Sequence, residues 1–264
     1  MYKAEKNKPI GILDSGVGGL TAVVSMQRLL PNESIIYLGD SLRMPYGNKK
    51  PDEIVNLANN LISFLQKHEV KAILLACNTI SAHIEELKSN LTLISIIEAG
   101  ALAVKELVQE PAVGLIATHA TVQSGMYEKK IKQYNPSLKV ISNSSTSLPK
   151  IIDSQLENIS LLNENIKEII DPILKEDDQI RNLILGCSHF PIIKKEINEI
   201  YPDIKLIDPA EKQVELLKIY LYENDLINDG DSKLTVFTTA ETYEYAAAIK
   251  RLYLEIDALI KVVL

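Results

Sequence analysis

Two short stretches constrain this chain more than anything else in it. One is Lys71-Ala-Ile-Leu-Leu-Ala-Cys77 leading into Asn78 and Thr79; the other is Arg181-Asn-Leu-Ile-Leu-Gly-Cys187 leading into Ser188 and His189. Each is an apolar, β-favouring run that ends at a cysteine and passes into small polar residues able to open a helix. Cys77 and Cys187 are the only two cysteines in 264 residues, and they stand 110 residues apart. That spacing is about one small domain, so the pattern predicts two similar halves, each with a thiol at a strand end. A glycine in an apolar run marks the start of each half: Gly11 precedes Cys77 by 66 residues and Gly114 precedes Cys187 by 73.

Read in order, strand patterns alternate with helical ones. Strands are expected at residues 9–14, 34–40, 71–77, 91–97, 112–118, 138–142, 181–187, 204–208 and 234–239. Helices are expected over 20–30, from 51, over 79–89, from 98, through 134, over 149–156, over 160–175 with a kink at Pro172, and from 191, 209 and 242. This alternation predicts an α/β fold of two similar domains, each with a mostly parallel sheet flanked by helices and with the active site between them. If each half pairs with its own repeats, residues 1–97 and 208–264 form one discontinuous domain carrying Asp14 and Cys77. Residues 98–207 form a continuous one carrying Cys187 and His189. In parallel sheets ligands bind beyond the carboxyl ends of the strands, where Asp14 and Cys77 fall.

Composition narrows the function classes. The formal charge of -7 is spread along the chain, which argues against nucleic acid as a partner. The basic start Met1 to Pro9 leads directly into a strand pattern without the apolar core of a signal peptide, and no stretch reads as a membrane span; a cytoplasmic location is expected. Without a CxxC pair, and with four histidines, there is no standard zinc spacing, so no metal is expected and the thiols are read as reduced. The loop Ser15-Gly-Val-Gly-Gly19 permits a tight strand-to-helix turn with backbone N–H groups near a ligand. It lacks the lysine of a phosphate loop and the GxGxxG spacing, and Asp14 would repel a phosphate. The Pro45-Tyr46-Gly47 segment reads as a rigid loop presenting a ring or its amides, or as an ordinary β-to-α connection. Surface tyrosines leave room for a homodimer.

A cysteine in an apolar strand is ordinarily a small buried hydrophobe. Two in matching contexts call for more. A hydrolase needs one nucleophile with a base, and a redox pair needs a resolving partner; neither accounts for the same device in both halves. A two-base reaction does. Inverting a carbon that carries hydrogen requires removing a proton from one face and supplying one to the other, and a helix N-terminus lowers a cysteine's pKa towards a competent thiolate. Donors from Asn78, Thr79, Ser188 and His189 could stabilise the developing carbanion.

The chain resembles the glutamate racemases of the aspartate/glutamate racemase superfamily. The resemblance rests on seven motifs in order: Asp14-Ser-Gly-Val-Gly-Gly-Leu-Thr21, Pro45-Tyr-Gly47, Ala76-Cys-Asn-Thr79, Ile97-Glu98, Thr118 with Thr121-Val-Gln-Ser-Gly125, Gly186-Cys-Ser-His189 and Ile207-Asp208. It implies a cofactor-independent racemase making D-glutamate for peptidoglycan, with the substrate held between domains. Cys77 and Cys187 would be the acid/base pair, with Asp14 and His189 helping proton transfer. Asp14, Ser15, Pro45, Tyr46, Gly47, Asn78, Thr79, Thr118, Thr121, Ser188 and His189 would bind the amino acid. A racemase of aspartate or a related amino acid, or a non-catalytic binding protein on the same fold, are the alternatives. The chain departs from the pattern in three places. Ser188 stands for a threonine, Ala99 for a proline, and Asn143-Ser-Ser-Thr-Ser-Leu-Pro149 for an Ala-Cys-Pro-like segment that leads to a glutamate; that position is Ile152 here, with Asp153 next, so a carboxylate that would tune His189 is missing or shifted.

Overall fold

The apolar runs become two parallel sheets because each is buried on both faces. A computed structural model of the chain describes residues 5–264; Met1 to Ala4, part of the basic start, lie outside the described residues. Strand β1 (Ile10–Asp14) is buried at every residue and lies between β2 (Ile35–Gly39) and β3 (Ala72–Leu75). β4 (Leu93–Ser95) extends the sheet beyond β3, and β9 (Leu234–Thr238) and β10 (Ala258–Lys261) extend it beyond β2, in the order β10-β9-β2-β1-β3-β4. The second sheet holds β5 (Ala112–Ala117), β6 (Lys139–Ser144), β7 (Asn182–Gly186) and β8 (Lys205–Ile207), in the order β6-β5-β7-β8. Its order repeats the β2-β1-β3-β4 core of the first sheet strand for strand. Cys77 and Cys187 therefore follow equivalent central strands.

Helices cover the sheets where the sequence has amphipathic stripes. α1 (Leu20–Leu29) follows the glycine loop, and α2 (Pro51–Lys67) begins with proline at its first turn, followed by Asp52 and Glu53, and ends on Lys67, a charge order that suits the helix dipole. α2 buries Ile54, Ala58, Leu61, Ile62 and Leu65, one face at helical spacing. Full burial of one such side chain is worth about 1.5–3 kcal/mol. Between the sheets, α4 (Ile96–Leu107) packs on α10 (Pro209–Glu223). One apolar cluster runs from Ile12 and Leu74 of the first sheet through Val104 and Val214 to Leu115 and Ile184 of the second.

Several elements differ from the sequence expectation. Helix 79–89 is a single turn, α3 (Asn78–Ser81), followed by a 3-10 turn Ile84–Glu86. Asn, Thr, Ile and Ser are weak helix formers, and all four are buried here. The expected strand 91–97 stops at Ser95, whose Oγ accepts the Glu98 N–H at 3.2 Å and starts α4 two residues early. The stretch through Tyr134 is two helices, α5 (His119–Gln123) and α6 (Met126–Tyr134), broken at Gly125 with φ +62°. β6 runs into the expected polar loop as far as Ser144 because Asn143 Nδ2 reaches the Ile169 carbonyl at 2.9 Å. α7 (Leu148–Ser154) and α8 (Ile159–Glu176) follow, and α8 carries Pro172 within it. After Cys187 comes a 3-10 turn, Phe190–Ile193, ahead of α9 (Lys194–Ile200), and α11 (Thr242–Arg251) precedes the unexpected edge strand β10.

Candidate active site

The carboxyl ends of both sheets open on one pocket. Ser15 reaches it from the end of β1, Cys77 with Asn78 and Thr79 from the end of β3, and Thr118 from the end of β5. Cys187, Ser188 and His189 reach it from the end of β7, and Pro45, Tyr46 and Gly47 from the loop before α2. Of the residues expected from the sequence, Asp14 and Thr121 alone are not in its lining; they stand behind it. The lining also includes Met44, Asn48, Ser145, Thr146, Pro149 and Lys150. The last four lie between the end of β6 and Ile152, in the loop and first turn of α7, and no motif in the sequence marked them.

Both cysteines are buried free thiols. Cys77 Sγ lies 3.4 Å from Ser15 Oγ. Burial, then the nearby Asp14 carboxylate, pushes the Cys77 thiol up to about 12, against the downward pull of Ser15 and the Ile80 amide. The lowered thiol expected for a helix N-terminus is thus overturned at Cys77. The helix behind it is one turn long, too short to outweigh burial and a neighbouring carboxylate.

Cys187 Sγ lies 3.7 Å from His189 Nδ1, and His189 Nε2 lies 3.1 Å from Asp153 Oδ2. Asp153 therefore supplies the carboxylate that the sequence left missing or shifted, one position further along α7. Ile152 turns instead into the apolar cluster with Leu148, Leu162 and Ile166. Burial opposes a charge on His189, yet the Asp153 charge and hydrogen bond, with the contact to Cys187, hold its pKa well above the usual imidazole range.

Asp14 is fully buried, and its Oδ2 accepts the Gly16 and Gly19 N–H groups at 3.2 and 3.0 Å. Those two amides serve Asp14 and not a ligand, which corrects part of the reading of the glycine loop. Ser188 Oγ donates across from the other sheet to Asp14 Oδ1 at 3.2 Å. Burial raises the Asp14 pKa, while His189, the two amides and Ser188 resist the rise. Gly18 passes so close to this corner that a Cβ there would come within 2.7 Å of His189 Nδ1 and Ser188 Oγ. Three hydroxyls join the sheets on the far side: Thr79 Oγ1 lies 2.9 Å from Thr118 Oγ1 and 3.3 Å from Thr121 Oγ1. Tyr46 is pinned by a 2.5 Å hydrogen bond from its hydroxyl to Asp40. Among the described residues no group of three or more His, Cys, Asp or Glu side chains is placed to hold a metal ion, and no helix is long and apolar enough to cross a membrane.

The fold that carries these thiols has known counterparts. The family model described as Asp/Glu/Hydantoin racemase matches residues 19–217. The chain belongs to that family and is an amino-acid racemase, an isomerase of a kind that does not need pyridoxal phosphate. Its relatives include glutamate racemase 1 of Caldanaerobacter subterraneus subsp. tengcongensis, 37% identical over 85% of this chain and 84% of that one. Glutamate racemase isoform RacE1 from Bacillus anthracis superposes with a TM-score of 0.92 at 33% identity, over 98% of both chains. Glutamate racemase from Francisella tularensis, solved in complex with D-glutamate, superposes at 0.89 with 37% identity over 98% of both chains.

Proposed function

We propose that the chain interconverts L- and D-glutamate by two-base proton transfer, with Cys77 and Cys187 acting from opposite faces of the α-carbon. The observation that carries the proposal is that the only two cysteines line one pocket, each at the end of an equivalent strand and each with its own polar partner. Relatives at 37% identity named glutamate racemases support glutamate as the substrate. The aspartate racemase of Picrophilus torridus shares the fold at 23% identity.

In this reading the two thiols start in different states. The buried Cys77 carries its proton and is the acid. His189, held protonated by Asp153, presents a positive charge beside the Cys187 sulfur, the setting in which a thiolate serves as base. Removal of the α-proton by Cys187 and donation from Cys77 give the opposite enantiomer, with the two thiols exchanged in state. In the other direction their roles reverse.

Ser15, Pro45, Tyr46, Gly47, Asn78, Thr79, Thr118 and Ser188 hold the amino acid, and the hydroxyls among them stabilise charge spreading onto the α-carboxylate. Asp14 acts from behind the wall through Ser188, and Thr121 through Thr79 and Thr118. In this reading the fold divides into two units; strand membership of the sheets supports a division between β4 and β5 and between β8 and β9, which brackets 207/208, while 97/98 falls two residues inside α4. The D-glutamate formed serves peptidoglycan synthesis in the cytoplasm. Incubation with L-glutamate without pyridoxal phosphate, followed by circular dichroism, tests the proposal. Decay of the optical signal to zero is expected, and a persistent signal at high enzyme concentration, or faster decay with aspartate, overturns it.

A further inference from the structure

Asn78 lines the pocket at 2% exposure, and its Nδ2 is buried without a partner among the described residues. A buried amide N–H left unpaired costs about 1–3 kcal/mol, so this one is expected to meet something that enters the pocket. Its other end is engaged: Asn78 Oδ1 accepts the Tyr127 hydroxyl at 2.6 Å. Tyr127 sits on α6, on the side of the second sheet, whereas Asn78 opens α3 on the first. The ring is 1% exposed and fills a slot against Gly100 of α4, where a Cβ would come within 2.7 Å of the ring.

The two ends of an asparagine amide are easily interchanged, so something must decide which faces the pocket. Here Tyr127 decides. Burial keeps its phenol protonated, and among the described residues the hydroxyl has no acceptor other than Asn78 Oδ1. Turning the amide over would strand that hydrogen in the core and would turn Oδ1 towards the ligand. We propose that Tyr127 is a positioning residue: it fixes Asn78 Oδ1, leaving Nδ2 to donate to a substrate carboxylate and disfavouring the reversed amide that would repel one. The inference rests on the pocket's taking an amino acid with two carboxylates. It adds a contact across the two sheets that tunes binding without touching substrate.

The test uses glutarate, a dicarboxylate that cannot racemise, with affinity measured by calorimetry beside kcat and KM for glutamate. Tyr127→Phe keeps the ring in its slot and removes the hydroxyl. The expected result is a roughly tenfold weaker glutarate affinity and a matching rise in KM with kcat little changed, as for a donor engaged equally in ground and transition states. In an Asn78→Ala background Tyr127→Phe should then have no further effect, because its action runs through that amide. Gly100→Ala, which presses on the same ring, is the second variant should Tyr127→Phe not fold, and it should weaken glutarate binding in the same dependent way. A lowered melting temperature with unchanged affinity, equal losses with and without Asn78, or no glutarate binding by the unaltered protein each overturns the proposal. Failure of glutamate turnover with the glutarate pattern intact removes the proposed reaction and leaves the positioning role standing.

Discussion

Asp153→Asn isolates the charge on the far side of His189. The Oδ2 to Nε2 contact is 3.1 Å, with the two side chains 18% and 7% exposed, so little solvent screens it. An asparagine can still reach the imidazole, so the geometry is kept and the charge is lost. A hydrogen bond to a charged group in such a place contributes about 1.5–3 kcal/mol. If that is the free energy holding the imidazolium beside Cys187, kcat/KM falls roughly ten- to hundredfold, and by the same factor in both directions, because the two enantiomers have equal free energy. The pH profile moves as well. The carboxylate raises the His189 pKa against burial, so without it burial prevails and His189 gives up its proton at lower pH. The alkaline limb set by His189 therefore shifts to lower pH. Initial rates from L- and D-glutamate by circular dichroism, from neutral to alkaline pH, measure both effects. An unchanged limb with unchanged rates in both directions would refute the reasoning.

Three further outcomes are expected. Alkylation of Cys77 by iodoacetamide, followed by mass spectrometry, should keep accelerating with pH towards about 12; a plateau near the ordinary thiol value of about 8.5 would contradict its burial beside Asp14. Ile152→Glu places an unpaired carboxylate among Leu148, Leu162 and Ile166, and should cost about 3 kcal/mol or more by denaturant titration. Combined with Asp153→Asn it should not restore the rate, because position 152 faces the core. Lys150 is the one Lys or Arg in the lining among the described residues, so Lys150→Glu should raise KM for glutamate roughly three- to tenfold at low salt, with the difference shrinking as salt is added.

The repeat was legible because it is written in strands buried on both faces. The runs ending at Cys77 and Cys187 read as strands with matching ends, and the structure places both in the interior of sheets of matching order. Local helix boundaries were less legible. Ser95-Ile-Ile-Glu98 carries an N-cap signature that marks the start of α4, but the apolar run across it masked the change of period. β10 is a half-exposed edge strand with a short, weak apolar signal. At the site, residue types at strand ends pointed to the pocket, whereas Asp153 depended on which face of α7 meets His189, a rotation of one residue that a linear motif does not encode. The Cys77 shift depended on Asp14 and on a helix only one turn long, both matters of three-dimensional packing.

The central claim is that two thiols share one inversion, and the fate of the α-hydrogen tests it most directly. In deuterium oxide, starting from protiated L-glutamate, the account predicts that the first D-glutamate formed carries deuterium at the α-carbon while the remaining L-glutamate keeps its protium. The product proton then comes from a different group than the one that removed the substrate's. Early D-glutamate that retains the original protium would show a single base serving both faces, and would contradict opposed roles for Cys77 and Cys187.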